Sequence, residues 1–172
     1  MSSTLGVNGY MEIAAIVGIA GWVLALTQFY FNFKANREKN EAELLEKTLG
    51  YFERGTVARS MGISLVEGVW YSRRKYLKVI VPVLVSQIEF LTTEAESYAH
   101  ERSNLIRLLS LTEKCVPYCN DPFKESIHVS EILISAAVTP RNIDLGRTAL
   151  RHWFSKFTNG STEQFDIETE NS

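Results

Sequence analysis

Apolar residues are spread unevenly along the chain. From Ile13 to Phe33 the sequence reads IAAIVGIAGWVLALTQFYFNF, 21 residues without a charge. At about 1.5 Å rise per residue such a helix spans about 31 Å, the hydrocarbon thickness of a bilayer. Buried core helices are seldom charge-free for this long, so the pattern predicts a transmembrane helix over 13–33. Trp22 falls deep in it, while Phe29, Tyr30, Phe31 and Phe33 gather at one end like an interfacial aromatic belt. A cleaved signal peptide would want a basic start and a small-residue site beyond its apolar core. Residues 1–12 hold no Lys or Arg, and the far end of the apolar run is bulky. The segment therefore reads as a retained anchor behind a short extracytoplasmic N-terminus, 1–12. Lys34, Arg37 and Lys39 follow at once, opposed only by Glu38, which by the positive-inside rule places the C-terminal side in the cytoplasm.

Small residues mark one strip of this helix. Ala14, Gly18, Gly21 and Ala25 recur at spacings of four, three and four, and Gln28 and Asn32 continue the seam. Small side chains let helix backbones approach, and an amide in lipid gains from a partner across the interface. The seam predicts a homo-oligomer assembled through the membrane helix.

Beyond it the polar and apolar positions predict helices throughout. Residues 34–55 carry five positive and five negative side chains with Leu45, Leu49 and Phe52 as an apolar edge, a charged helical stalk with a Glu43 to Lys47 pair at i, i+4. Val57, Met61, Leu65 and Val69 fall on one helical stripe. The β-branched run after Tyr76 suggests a strand, but Pro82 argues against a central one and is well tolerated at a helix start. Thr93 and Glu96 fit a capping box for a helix over about 94–114. Asp121-Pro122 starts another, towards Val138, and Thr139-Pro140 a last one carrying Ile143, Leu150, Trp153, Phe154 and Phe157. The expected fold is all-α: one membrane helix, then an antiparallel helical domain over 56–157. The acidic stretch 158–172 has little to bury and is expected to be disordered.

Composition changes this picture little. With 172 residues, 45% hydrophobic and 22% charged, the chain has room for one domain. A net charge of −2 offers no bulk basic surface for nucleic acid. Candidate chemistry is sparse. Cys115 and Cys119 are separated by Pro117, and His128 would be only a third ligand where structural zinc needs four. Glu125 and His128 have the E-x-x-H spacing of a di-iron bundle without a second copy. Ser72 to Lys75 spells S-x-x-K without the partner motifs of penicillin-binding enzymes. No phosphate loop or dinucleotide fingerprint occurs. The expectation is a protein without cofactor, metal or catalytic set. Arg73, Arg74, Lys75 and Lys78, near Trp70, Tyr71 and Tyr76, form a local basic-aromatic cluster suited to anionic headgroups of membrane lipid.

Residues 56–91 resemble a HEAT-like helical pair. More narrowly, Arg59-Ser-Met-Gly62-Ile63-Ser-Leu-Val66-Glu67 resembles an R-x-x-G-I-x-x-L-E helix of bacterial membrane-anchored pentapeptide-repeat proteins, where a transmembrane helix and charged stalk precede it. The likeness covers residues 10–92. Val66 replaces the motif's Leu, and no pentapeptide solenoid follows. The resemblance implies a bacterial inner-membrane protein with a cytoplasmic helical module and no activity of its own. Together these readings lead to a scaffold that binds a cytoplasmic protein, with a small bilayer-permeabilising effector as the alternative.

Overall fold

The computed structural model describes residues 4–93, 99–139 and 143–170, and of 4–21 and Ala99 the backbone alone. Among the described residues the chain is all-helical, with seven α-helices and no strand. It divides into two compact units, 1–46 and 47–172. Helix α1 runs Thr4–Gly50. In the first unit its surface carries Arg37–Glu41 and Lys39–Glu43 pairs at 3.5 and 3.8 Å. Glu43 thus pairs one turn back to Lys39 rather than forward to Lys47. Among the described residues no helix is long and apolar enough to cross a membrane. Of segment 13–33, the side chains of 13–21 lie outside the description, those of Ala14, Gly18 and Gly21 among them.

The second unit begins with the last turn of α1 and contains α2 (Thr56–Leu65), a π-helical turn (Val66–Tyr71), α3 (Leu77–Thr93) and α4 (Ala99–Cys115). A short 3-10 turn (Val116–Tyr118), α5 (Pro122–Val138), α6 (Arg147–Phe157) and α7 (Glu163–Glu170) complete it. Helix α2 packs on α4, α3 on both α4 and α5, and α5 on α6 and α7. Burying the apolar faces of these amphipathic helices against one another supplies the core.

Several boundaries differ from the sequence reading, each for a local reason. Helix α2 turns a different face inward: Arg59, Gly62, Ile63, Val66 and Trp70 are buried, while Val57 and Met61 are 77% and 50% exposed. The true inner stripe contains a charge and a residue without a side chain, so apolar counting passes over it. Helix α3 starts five residues before Pro82, which lies on its solvent side where the carbonyl it leaves unbonded can be hydrated. The β-branched run is helical, with Ile80, Val81, Leu84, Val85 and Ile88 buried. Helix α4 starts at Ala99, and Glu96 of the expected capping box lies outside the described residues. Pro140 lies outside them too, and α6 begins only at Arg147. Asp144 Oδ1 accepts from the Gly146 N–H at 2.6 Å, and Gly146 takes φ 79° just before α6, so Ile143 to Gly146 lie outside the helix.

The acidic C-terminal stretch is not without structure. Helix α7 buries Phe165 against Phe154, ring centroids 5.4 Å apart. Arg151 clasps Asp166 through two hydrogen bonds of 2.8 and 2.7 Å, and Arg147 donates to Thr169 at 2.7 Å. The Asp166 carboxyl is held below its ordinary value chiefly by the hydrogen bond from Arg151. One aromatic anchor and two arginines on the preceding helix order a segment whose composition alone reads as tail.

Candidate functional site

The R-x-x-G-I motif of α2 is the organising centre of the helical unit. Arg59 reaches Glu101 of α4 in an ion pair from which solvent is excluded, and its Nε donates to Gln87 Oε1 of α3 at 2.9 Å. Thr56 Oγ1 donates to Glu101 Oε1 at 2.7 Å, and Asn104 Nδ2 to Glu101 Oε2 at 3.1 Å. The Arg59 guanidinium also lies over the Phe90 ring, 5.2 Å from its centroid. Burial raises the Glu101 carboxyl, but hydrogen bonds from Asn104, Arg59 and Thr56 and the Arg59 charge outweigh it, leaving its pKa below the usual carboxylate value. At Gly62 an added Cβ would stand 3.2 Å from both Tyr51 Cβ and Phe52 Cε2. Glu67 receives Arg107 Nη2 at 2.8 Å. Each motif residue is thus spent on joining helices. The arrangement is a structural clamp.

The basic cluster separates into an inner and an outer part. Trp70 is buried, donating to Thr48 Oγ1 at 3.1 Å and meeting the Tyr76 ring edge-on at 5.4 Å. Arg73, Arg74, Lys75 and Lys78 are exposed around the turn into α3. That turn is held by the Lys75 N–H on the Trp70 carbonyl at 3.1 Å and by Arg74 over the Tyr118 ring at 4.6 Å. Arg74 and Tyr76 take φ 51° and 58°, a region costly for a bulky side chain, so the surrounding contacts must over-determine it.

The two thiols are both raised by burial. Cys115 is buried at the end of α4, where desolvation pushes its thiol up to about 12, and burial also raises that of Cys119. His128 of α5 faces Glu89 of α3 at 4.0 Å rather than composing a site with Glu125. Among the described residues no group of three or more metal-ligating side chains occurs.

What motif reading missed is a cleft of about 710 Å³ alongside α5, within the usual size range of ligand pockets. Val116, Ile134 and Phe157 line its floor, and Phe123 and Ile127 stand one helical turn apart at its mouth. Phe123 is 77% and Ile127 41% exposed. Glu113 and Glu131 contribute the acidic part of the lining, where Lys156 lies 3.8 Å from Glu113. The available signal was the Phe123, Ile127, Ile134 spacing, which puts three more apolar positions on a helix whose core stripe includes Val129, Ile132 and Leu133. Compared with known proteins, the chain matches no family model, no curated protein and no solved structure.

Proposed function

We propose that the chain is a single-pass membrane-anchored interaction protein whose 47–172 unit binds a cytoplasmic protein. The observation that carries the anchor is the exposure of Trp22, Val23, Leu24, Leu26, Phe29, Tyr30, Phe31 and Phe33. With about 100° between successive residues, these eight span about 220° of α1 and leave a strip of about 140° that holds Ala25, Gln28 and Asn32. An apolar arc this wide exceeds the roughly 100° stripe of a core-facing helix and suits lipid. Thr27 adds support by returning its hydroxyl to the Val23 carbonyl at 2.7 Å, which satisfies it without water. The basic flank at Lys34, Arg37 and Lys39 favours a cytoplasmic C-terminal side at a bacterial inner membrane. The packing of α2 on α4 and of α3 on both α4 and α5 supports a helical interaction module that leaves grooves for partners.

The second reading is a small effector whose assembled helices permeabilise the bilayer, favoured by the two amides Gln28 and Asn32 in the seam. Inducible expression with a membrane-potential dye separates the two. Growth without leakage is expected of the scaffold, and rapid depolarisation that needs residues 13–33 would replace it with the effector. Cysteine accessibility tests the topology: labelling of Ser172→Cys from outside intact cells would reverse it.

A further inference from the structure

We infer that the α5 cleft is the receptor for an amphipathic helix of a partner protein, one with an aromatic anchor and a basic edge. The inference deepens the protein-binding reading above and depends on it. Helix α7 already shows what this side of α5 accepts. It is a short helix that packs on α5, inserts a single aromatic, Phe165, and fixes its register through charged side chains on α6. The open cleft continues from that seat, since Gln164 of α7 lines it together with Ile134 of α5. Towards the start of α5 the apolar lining remains but the cover does not, and Phe123 and Ile127 stand exposed at i, i+4. An amphipathic helix laid in a groove offers apolar anchors at that same spacing.

Charge specifies the rest of the ligand. Glu113 and Glu131 face the cleft, and Glu168 carries the acidic edge past α7. Lys156 is already drawn towards Glu113 at 3.8 Å, so the net field along the lining is negative. Such a rim attracts a basic helix edge and repels phosphates of lipid or nucleic acid.

The test uses the full chain in nanodiscs and a fluorescein-labelled 14-residue helical peptide. The peptide presents Phe and Leu on one stripe and Lys on both flanks, and a scrambled peptide of equal composition serves as control. The striped peptide is expected to bind at least ten-fold more tightly than the scrambled one. Phe123→Ser with Ile127→Ser, both at exposed positions, should remove that preference, and Glu131→Lys should lower affinity several-fold. A peptide with Glu in place of Lys should bind more weakly than the Lys form and gain on Glu131→Lys. Equal binding of striped and scrambled peptides, or wild-type binding by the double serine variant, would overturn the inference. So would a chain whose own oligomer dissociates in the double serine variant while the peptide fails to compete, because the occupant is then a second copy. Carbonate extraction of the same preparation reads membrane insertion separately, so failure of the cleft and failure of the anchor are told apart.

Discussion

Arg59 of α2 and Glu101 of α4 form an ion pair in which the two side chains are only 5% and 6% exposed. Stripping two charges of water costs several kcal/mol each, and Gln87, Thr56 and Asn104 supply the hydrogen bonds that offset it. Removing one partner strands the other. Arg59→Ala or Glu101→Ala is expected to lose about 3–5 kcal/mol of unfolding free energy. The double variant Arg59→Met/Glu101→Leu should lose less than either single change, because no buried charge then lacks its counter-ion. Urea unfolding of the full chain in mild detergent, followed by tryptophan emission, measures all three. A strictly additive double variant would mean that the pair is not coupled.

Acid should find the same contact. The Glu101 carboxyl has a folded pKa below the ordinary glutamate value of 4.5. A depressed carboxylate contributes stability that is fully present above the unfolded value and lost as pH falls through the folded one. Wild-type stability should therefore decline as the medium is acidified below the ordinary glutamate value of 4.5. Glu101→Gln, less stable at neutrality, should show a shallower decline over that range. Parallel acid limbs for the two proteins would locate the acid-sensitive group elsewhere.

These charges also explain which parts of the fold could be read from the chain. Apolar periodicity identified helices around Leu84, Ile88 and Leu91 and around Leu105, Leu108 and Leu109, all buried as expected. It placed α2 on the wrong face, because the buried stripe is led by Arg59 and Gly62, which hydropathy counts as outward. It passed over α7, because a single Phe165 carries no period and its partners Arg147 and Arg151 lie on another helix. The α5 cleft was hidden for a related reason: Phe123 and Ile127 look like core positions until the packing of α5 on α3 leaves them outside. The basic turn at 73–78 was legible as charge, whereas the inward fate of Trp70 depends on Thr48, a partner 22 residues away in sequence.

Gly62 makes a steric claim of its own. A Cβ there meets Phe52 Cε2 and Tyr51 Cβ at 3.2 Å, and the Phe52 ring is itself buried. Gly62→Ala gains about 1 kcal/mol of helix propensity, which should nearly cancel the contact and leave stability within about 1 kcal/mol of wild type. Gly62→Leu has no such compensation and should lose about 1–3 kcal/mol by overpacking. Thermal unfolding of the two variants side by side checks the difference. A leucine variant as stable as the alanine one would show that α2 moves away from residues 51–52 at little cost.

Helix α7 should come loose before the rest of the domain. Its attachment depends on Phe165 and on arginine contacts at the surface, and eight residues are too few for a helix to hold alone in water. Phe165→Ala is expected to make Glu163 and Glu168 rapid cleavage sites for a glutamate-specific protease, while α2 to α5 stay resistant. Arg151→Ala, which removes an exposed contact to Asp166, should speed cleavage only modestly. Limited proteolysis read by mass spectrometry gives the order, and unchanged cleavage in Phe165→Ala would mean that other contacts seat the helix.

Association through the proposed membrane helix is the last expectation. Ala25, Gln28 and Asn32 share the strip of α1 left between its large apolar side chains, and the spacing of Ala14, Gly18 and Gly21 continues it in sequence. Lipid tails provide no hydrophobic drive between helices, so close packing and amide pairing must supply the affinity. Leucine at both Gly18 and Gly21 keeps the segment apolar enough to insert but prevents close approach of two backbones. It should therefore abolish the signal of a transmembrane-association reporter carrying residues 11–33. Gln28→Leu should weaken the signal less, since one interhelical amide contact is worth only about 0.6–2 kcal/mol. Equal signals from wild type and the double leucine variant would reduce the seam to ordinary membrane-helix composition. The proposed anchor would then act as a monomer, because an exposed apolar surface at Trp22, Phe29 and Phe31 needs no second helix to meet lipid, and the cleft of α5 would have to recruit its partner one copy at a time.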